Sequence, residues 1–145
     1  MSFNETFVVY NYTPYELTLD AGNSKNLDNV WPSTIPGATT TNPGYVEFAQ
    51  NESININPTA VYVLQSNPAV TATLHFYCWG AGFVHVNMTL AYSSTPGFSS
   101  AIWEDNRIGT PQSDSGSNNL SIDDNGNISS RGRAIFVIGK DTVPS

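Results

Sequence analysis

Nine short apolar or alternating runs, none longer than ten residues, are separated along the chain by clusters of turn-forming residues, and this punctuation dominates the chain. The runs are FVVY (7–10), YELTL (15–19), YVEF (45–48), AVYVL (60–64), ATLHFYC (72–78), FVHVNMTLAY (83–92), SAIW (100–103), LSI (120–122) and AIFVI (134–138). Between them stand AGNSKN, PSTIPG, TTNPG, QSNP, STPG, RIGTPQSDSGSN and DDNGN, made of residues that favour turns. No stretch repeats its apolar residues at a convincing helical period; one short helical turn is expected within 23–31, NSKNLDNVW. Short strands at this spacing predict an all-β fold, a single antiparallel β-sandwich of about eight to ten strands occupying 1–145 as one domain.

Composition sharpens that expectation. Sixteen Asn, sixteen Ser and fourteen Thr make 46 of the 145 residues small, neutral and hydrogen-bonding, while only 12% are charged. Globular chains average about 25% charged residues, so neutral groups suited to caps, turns and strand faces stand where charges usually do. With 5 Lys+Arg against 12 Asp+Glu the net charge is −7. No basic cluster exists to neutralise several phosphates, so nucleic acid is excluded as a partner. The same field disfavours anionic membranes and leaves neutral lipids, sterols and glycans open. A single cysteine, Cys78, rules out an internal disulfide. The start MSFNETFVVY has neither the basic nor the long apolar region of a secretory signal, which predicts a cytoplasmic protein or one secreted without a conventional signal peptide. Six Asn-x-Ser/Thr sequons, at Asn4, Asn11, Asn51, Asn87, Asn119 and Asn127, are the number such a composition produces by chance.

The segment 70–92 carries the most specific pattern. Leu74, Phe76 and Cys78 alternate with Thr73, His75 and Tyr77, and Val84, Val86, Met88 and Leu90 alternate with His85, Asn87 and Thr89. A turn at Trp79-Gly80-Ala81 sets Leu74 against Val86, Phe76 against Val84 and Thr73 against Asn87, so apolar faces apolar and polar faces polar. The same register sets His75 opposite His85 on the polar face.

Residues able to carry chemistry are few. Two histidines across a strand pair could share a metal, yet no third His or HxH spacing supplies the remaining ligands. No nucleophile motif is present, Cys78 falls at apolar parity, and the adjacent Glu104 and Asp105 point to opposite faces if both lie on a strand. These absences predict a protein that is not an enzyme. The segment IDDNGNISS (122–130) gathers Asp123, Asp124, Asn125 and Asn127 around Gly126, which reads as a hairpin turn leading to the last strand or, alternatively, as a calcium site. Aromatic residues give the stronger signal: Trp79 at the hairpin tip, Tyr10, Tyr12 and Tyr15 around Thr13-Pro14, Trp31 before a Pro-rich loop, and Trp103 ending a strand. Amphipathic rings at such places suit a membrane interface or the apolar face of a sugar.

Taken in order, VVYNYTPYELTL, VW, IPG with YVEF, AVYVLQSNPAVTATLHFYCWGAG and VHVNMTLAY make residues 5–92 resemble the small cytolysin and lectin sandwiches: aegerolysins, actinoporins and fungal fruit-body lectins. The resemblance implies a β-sandwich that recognises membrane lipid or glycan, sometimes within a pore-forming system. HFYCWG (75–80) resembles the aromatic segment of aegerolysins, which implies Tyr77 and Trp79 as contacts, and Trp31 resembles their early loop tryptophan. The actinoporin amphipathic helix and the paired cysteines of some aegerolysins are missing. Separately, 123–130 resembles the (N/D)(N/D)xx(S/T)S calcium motif of βγ-crystallin-type adhesion proteins, with Gly126 as the departure.

The leading expectation is a non-enzymatic, cytolysin-like protein that binds a neutral membrane lipid through loop aromatics, with Trp79, Tyr77, Trp31, Trp103 and Tyr12 as ligand contacts. The alternatives are a lectin of the same sandwich type and a calcium-dependent adhesion module holding Ca²⁺ through Asp123, Asp124, Asn125 and Asn127. No cofactor other than Ca²⁺ is expected, and homo-oligomerisation is left open.

Overall fold

The computed structural model describes residues 3–52, 55–66, 69–79, 83–91, 98–105, 110–114, 119–124 and 132–144. Its strands are β1 (Phe3–Asn11), β2 (Leu17–Leu19), β3 (Thr34–Ile35), β4 (Gly44–Glu52), β5 (Asn55–Ile56), β6 (Thr59–Leu64), β7 (Val70–Trp79), β8 (Phe83–Ala91), β9 (Ser100–Glu104), β10 (Gln112–Asp114), β11 (Asn119–Asp124) and β12 (Arg133–Ile138). One sheet has the order β10-β9-β12-β1-β4 and the other β11-β8-β7-β6-β2-β3. The two-residue β5 pairs the far end of β7 in line with β6. The Asn57-Pro58 step separates β5 from β6, where proline has no N–H for the ladder. The all-β sandwich read from the punctuation is the fold observed.

Strands of the two sheets differ in how they are covered. In β7 and β8 every second residue is buried, from Ala72 to Cys78 and from Val84 to Leu90. In β1, β9 and β12 apolar residues run on without alternation, because both faces are covered. Phe7, Val9, Ile102, Ala134, Phe136 and Ile138 enter the main core between the sheets, while Val8, Ala101, Ile135 and Val137 form a second cluster on the outer face.

Four details depart from expectation. The β7–β8 register pairs Leu74 with Met88, Phe76 with Val86 and Trp79 with Phe83, two residues on from the anticipated one. A two-residue shift leaves every side chain on its face, so alternation alone could not separate the two registers. His75 therefore lies opposite Asn87, and His85 opposite Tyr77. The expected hairpin between LSI and the last strand does not form, because β11 belongs to one sheet and β12 to the other; residues 125–131 lie outside the described residues. β12 pairs β1 in parallel, the only parallel pairing among the described strands. The helical turn is a single 3-10 turn at Ala21–Asn23, just upstream of most of the expected 23–31.

One end of the sandwich holds two buried carboxyl groups, Glu5 at 1% exposure and Glu104 at 0%. Both side chains share the inward parity of their strands, Glu5 with Phe7 and Glu104 with Ile102. Gln50 faces Glu5 from β4 and accepts a 2.7 Å hydrogen bond from the Trp31 indole N–H. Gly132 sits between them, and a Cβ there would lie 2.1 Å from each Glu104 carboxyl oxygen. Absence of a side chain at Gly132 is thus what lets Glu104 occupy its place.

Candidate functional site

The sheet order brings distant aromatics onto one surface. β1 lies between β4 and β12, and β9 flanks β12, so the pairings Tyr10–Tyr45, Tyr10–Val137 and Val137–Ala101 form one row across the outer face. The adjacent row is Glu47, Val8, Ile135 and Trp103. Val8, Ala101, Ile135 and Val137 make an apolar floor with at most 1% exposure, covered by the partly buried Tyr10, Tyr12, Trp103 and Val143. Ring centroids are 6.3 Å apart for Tyr10 and Tyr12 and 5.1 Å for Tyr10 and Tyr45. Tyr45 is the most exposed of these rings at 45%.

Local structure fixes the rings from both ends. Asn11, fully buried, accepts hydrogen bonds from the Thr13 N–H and hydroxyl, and its amide donates to the carbonyls of Tyr15 and Pro36. This Asx-type turn sets the chain direction on either side of Tyr12. Its burial also puts the Asn11 sequon out of reach of glycosylation in the folded state. At the other end, Gly139 adopts φ +92° and turns the C-terminal segment back, so that Lys140 Nζ lies 4.9 Å from the Tyr12 ring centre and Val143 packs on the floor. That φ suits glycine, and a Cβ there would stand 3.0 Å from Thr13.

Charged groups border the rings. Tyr45 donates its hydroxyl hydrogen to Glu47 Oε1 at 3.0 Å. Burial first, and then Glu47, pushes the Tyr45 phenol above its ordinary pKa. Arg133 Nε donates to Asp105 Oδ2 at 2.6 Å, and its Nη1 lies 4.0 Å from Glu47 Oε1. That hydrogen bond to Asp105 raises the guanidinium pKa further. Asp105 and Glu104 do point to opposite faces, Asp105 outward to Arg133 and Glu104 into the core.

Along β7, β8 and β11 the outer face of the other sheet is polar. His85 Nδ1 contacts Asp123 Oδ1 as an imidazole–carboxylate pair, and His75 Nε2 lies 2.8 Å from Asn57 Oδ1. The two imidazoles are diagonal neighbours with ring centres 5.4 Å apart. Burial, and secondarily His85, lowers the His75 pKa. Asn87 extends the polar row, donating to Asn119 Oδ1 at 3.0 Å and to the Leu120 carbonyl at 2.8 Å.

The residues singled out in the sequence are thus dispersed. Tyr12 and Trp103 share the aromatic face, and Tyr77 lies on the opposite sheet beside His85. Trp31 is 6% exposed and packs on Phe7 and Phe48 at centroid distances of 4.9 and 4.7 Å, so its ring belongs to the core and presents no face to a ligand. Trp79 closes β7, its backbone paired with Asn55 and Phe83, one step short of the tip expected for it; its side chain lies outside the described residues. Asp123 is exposed on β11 and Asp124 is the last residue of that strand, while Asn125 and Asn127 lie outside the described residues. Among the described residues no group of three or more His, Cys, Asp or Glu side chains is placed to hold a metal ion. Sequence reasoning missed Tyr45 and Lys140 altogether. Tyr45 shares parity with Glu47 in YVEF, a signal of an outward aromatic that gains meaning only once β4 is set beside β1. No protein-family model, curated protein or solved structure matches the chain.

Proposed function

We propose that the chain is a non-enzymatic recognition protein that binds a neutral glycan on the outer face of its five-stranded sheet. The observation that carries this reading is the set of Tyr10, Tyr12 and Trp103 over a buried apolar floor, with Tyr45 against Tyr10. Rings held by a sheet beneath them are preorganised, and a pyranose stacks its C–H face on such rings while its hydroxyls reach nearby polar groups. Tyr hydroxyls, Glu47 and Lys140 offer donors and acceptors around the edge. The weakly charged surface suits a ligand without charge.

Lipid binding through loop aromatics has less support, because insertion requires apolar side chains that protrude together. Among the described residues, the exposed Tyr15 follows β1 at one end of the sandwich, and the exposed Val30 adjoins Trp31 at the other. A glycan array followed by calorimetry tests the proposal, with sphingomyelin–sterol liposomes as the competing arm. Tyr45→Ala is expected to weaken glycan binding about tenfold, the order of one lost stacking contact, while the melting temperature moves by less than about 2 °C. Binding to those liposomes with no glycan bound would reject this reading in favour of the lipid one.

A further inference from the structure

Among the described strands the two sheet orders end at β10 and β4 and at β11 and β3, and three of these four edges are guarded. β10 and β3 have only three and two residues. β11 ends in Asp123-Asp124 and is tied to β10 by a 2.6 Å hydrogen bond from the Ser121 N–H to Gln112 Oε1. β4 is different. It is nine residues long and pairs with β1 without a bulge from Gly44–Asn11 to Glu52–Phe3, and GYVEFAQNE contains no proline and no basic residue. No described strand pairs the outer side of β4, and natural sheets rarely leave a long edge unpaired, because it is a template for another strand.

Which backbone groups face outward follows from β1. The Thr6 N–H donates to the Gly132 carbonyl and the Tyr12 N–H to the Ile138 carbonyl, so the even-numbered residues of this stretch turn toward β12. The odd-numbered residues therefore bond to β4, making Phe7–Phe48 and Val9–Val46 the hydrogen-bonded pairs. Tyr45, Glu47 and Ala49 consequently aim N–H and C=O out of the sheet.

We infer that β4 is a dimerisation edge at which two copies of this chain pair β4 with β4, antiparallel, about a two-fold axis at Phe48. A two-fold axis perpendicular to the sheet keeps side chains on their own face, which restricts the pairing to a few registers. An axis at Glu47 would set two carboxylates opposite each other, and an axis at Ala49 would set Val46 against Glu52. With the axis at Phe48, Phe48 meets its counterpart, Glu47 meets Ala49 and Tyr45 meets Asn51, with no like charges facing. Phe48, partly buried against Phe7 and Trp31, then gains cover for its open side. The product is one continuous ten-stranded sheet, with both aromatic faces on the same side.

Sedimentation of the full chain over a concentration series tests this directly. Mass is expected to rise with concentration from 15.7 kDa toward twice that value. Ala49→Pro removes an outward N–H and leaves the bonds to β1 intact, a change edge strands tolerate. Loss of two symmetry-related hydrogen bonds should raise the dissociation constant about thirtyfold. Because Ala49 lies opposite Glu47 of the second copy, Ala49→Glu should weaken and Ala49→Lys tighten the dimer by about threefold each. A monomer at every concentration overturns the inference, and so does a dimer unaffected by a folded Ala49→Pro. Should that variant not fold, equal dissociation constants for the Glu and Lys variants overturn it instead.

Discussion

The outer faces of the two sheets are built on opposite rules. The face of β7, β8 and β11 carries Thr73, His75, Tyr77, His85, Asn87 and Asp123, so water is its natural neighbour, and β7 and β8 alternate. The face of β1, β9 and β12 carries Val8, Ala101, Ile135 and Val137, and the chain supplies its own cover of aromatic rings and a folded-back C-terminal segment. An outer face that must be covered needs large, rigid, half-buried side chains. Tyr and Trp meet that need while leaving ring surface exposed, so a stabilising cover and a binding surface become the same residues.

Substitution on the two floors should break the symmetry most severely. Val137→Asp places a charge on the fully buried floor and is expected to cost more than about 4 kcal/mol, enough to unfold many domains of this size. Thr73→Asp on the polar face should stay within about 0.5 kcal/mol in the same urea titration. One step down, Trp103→Ala uncovers the floor and should cost about 2–3 kcal/mol, whereas Tyr77→Ala should cost less than about 1 kcal/mol. Equal losses for Trp103 and Tyr77 would mean that the two faces do not differ in their dependence on an aromatic cover.

The smallest effects are those of pH, and they separate the faces by direction. The folded His75 pKa lies below the ordinary 6.5, so the unfolded chain takes up this proton first. Stability therefore declines as pH falls through that value, and His75→Gln should flatten this acid limb. Tyr45 lies above its ordinary 10.0, so the unfolded chain loses that proton first and stability declines as pH climbs past 10.0. Tyr62 adds to this alkaline limb, since its buried phenol is raised further while donating to the Pro32 carbonyl at 2.8 Å. Tyr45→Phe should remove only its own share, seen as a small rise in the alkaline urea midpoint. Each of the two surface contributions is expected below about 1 kcal/mol, since solvent screens both groups.

Local pattern carried much of this fold. Alternation over 70–92 fixed which residues of β7 and β8 face the core, because parity is a property of the strand itself. The exact partner of each residue was not legible, since registers two residues apart satisfy the same alternation. FVVY and AIFVI, lacking alternation, carried the mark of strands covered on both sides. What covers them depends on β12 inserting in parallel between β1 and β9, and no local signal encodes that. The aromatic face shows the consequence: Tyr10 and Tyr45 touch across 35 residues of sequence, and Trp103 joins them through β12. Trp31 failed as a surface candidate because its loop folds over the sandwich end, where Gln50 takes its indole hydrogen bond.

Glycan recognition on the five-stranded sheet is tested most directly by following aromatic side-chain NMR signals during titration with a glycan selected from an array. Shifts are expected at Tyr10, Tyr12, Tyr45 and Trp103, with Tyr77, His75 and His85 unmoved. Shifts centred on the His75–His85–Asp123 face, with Tyr10, Tyr12, Tyr45 and Trp103 unchanged, would contradict the assignment of ligand binding to the aromatic face.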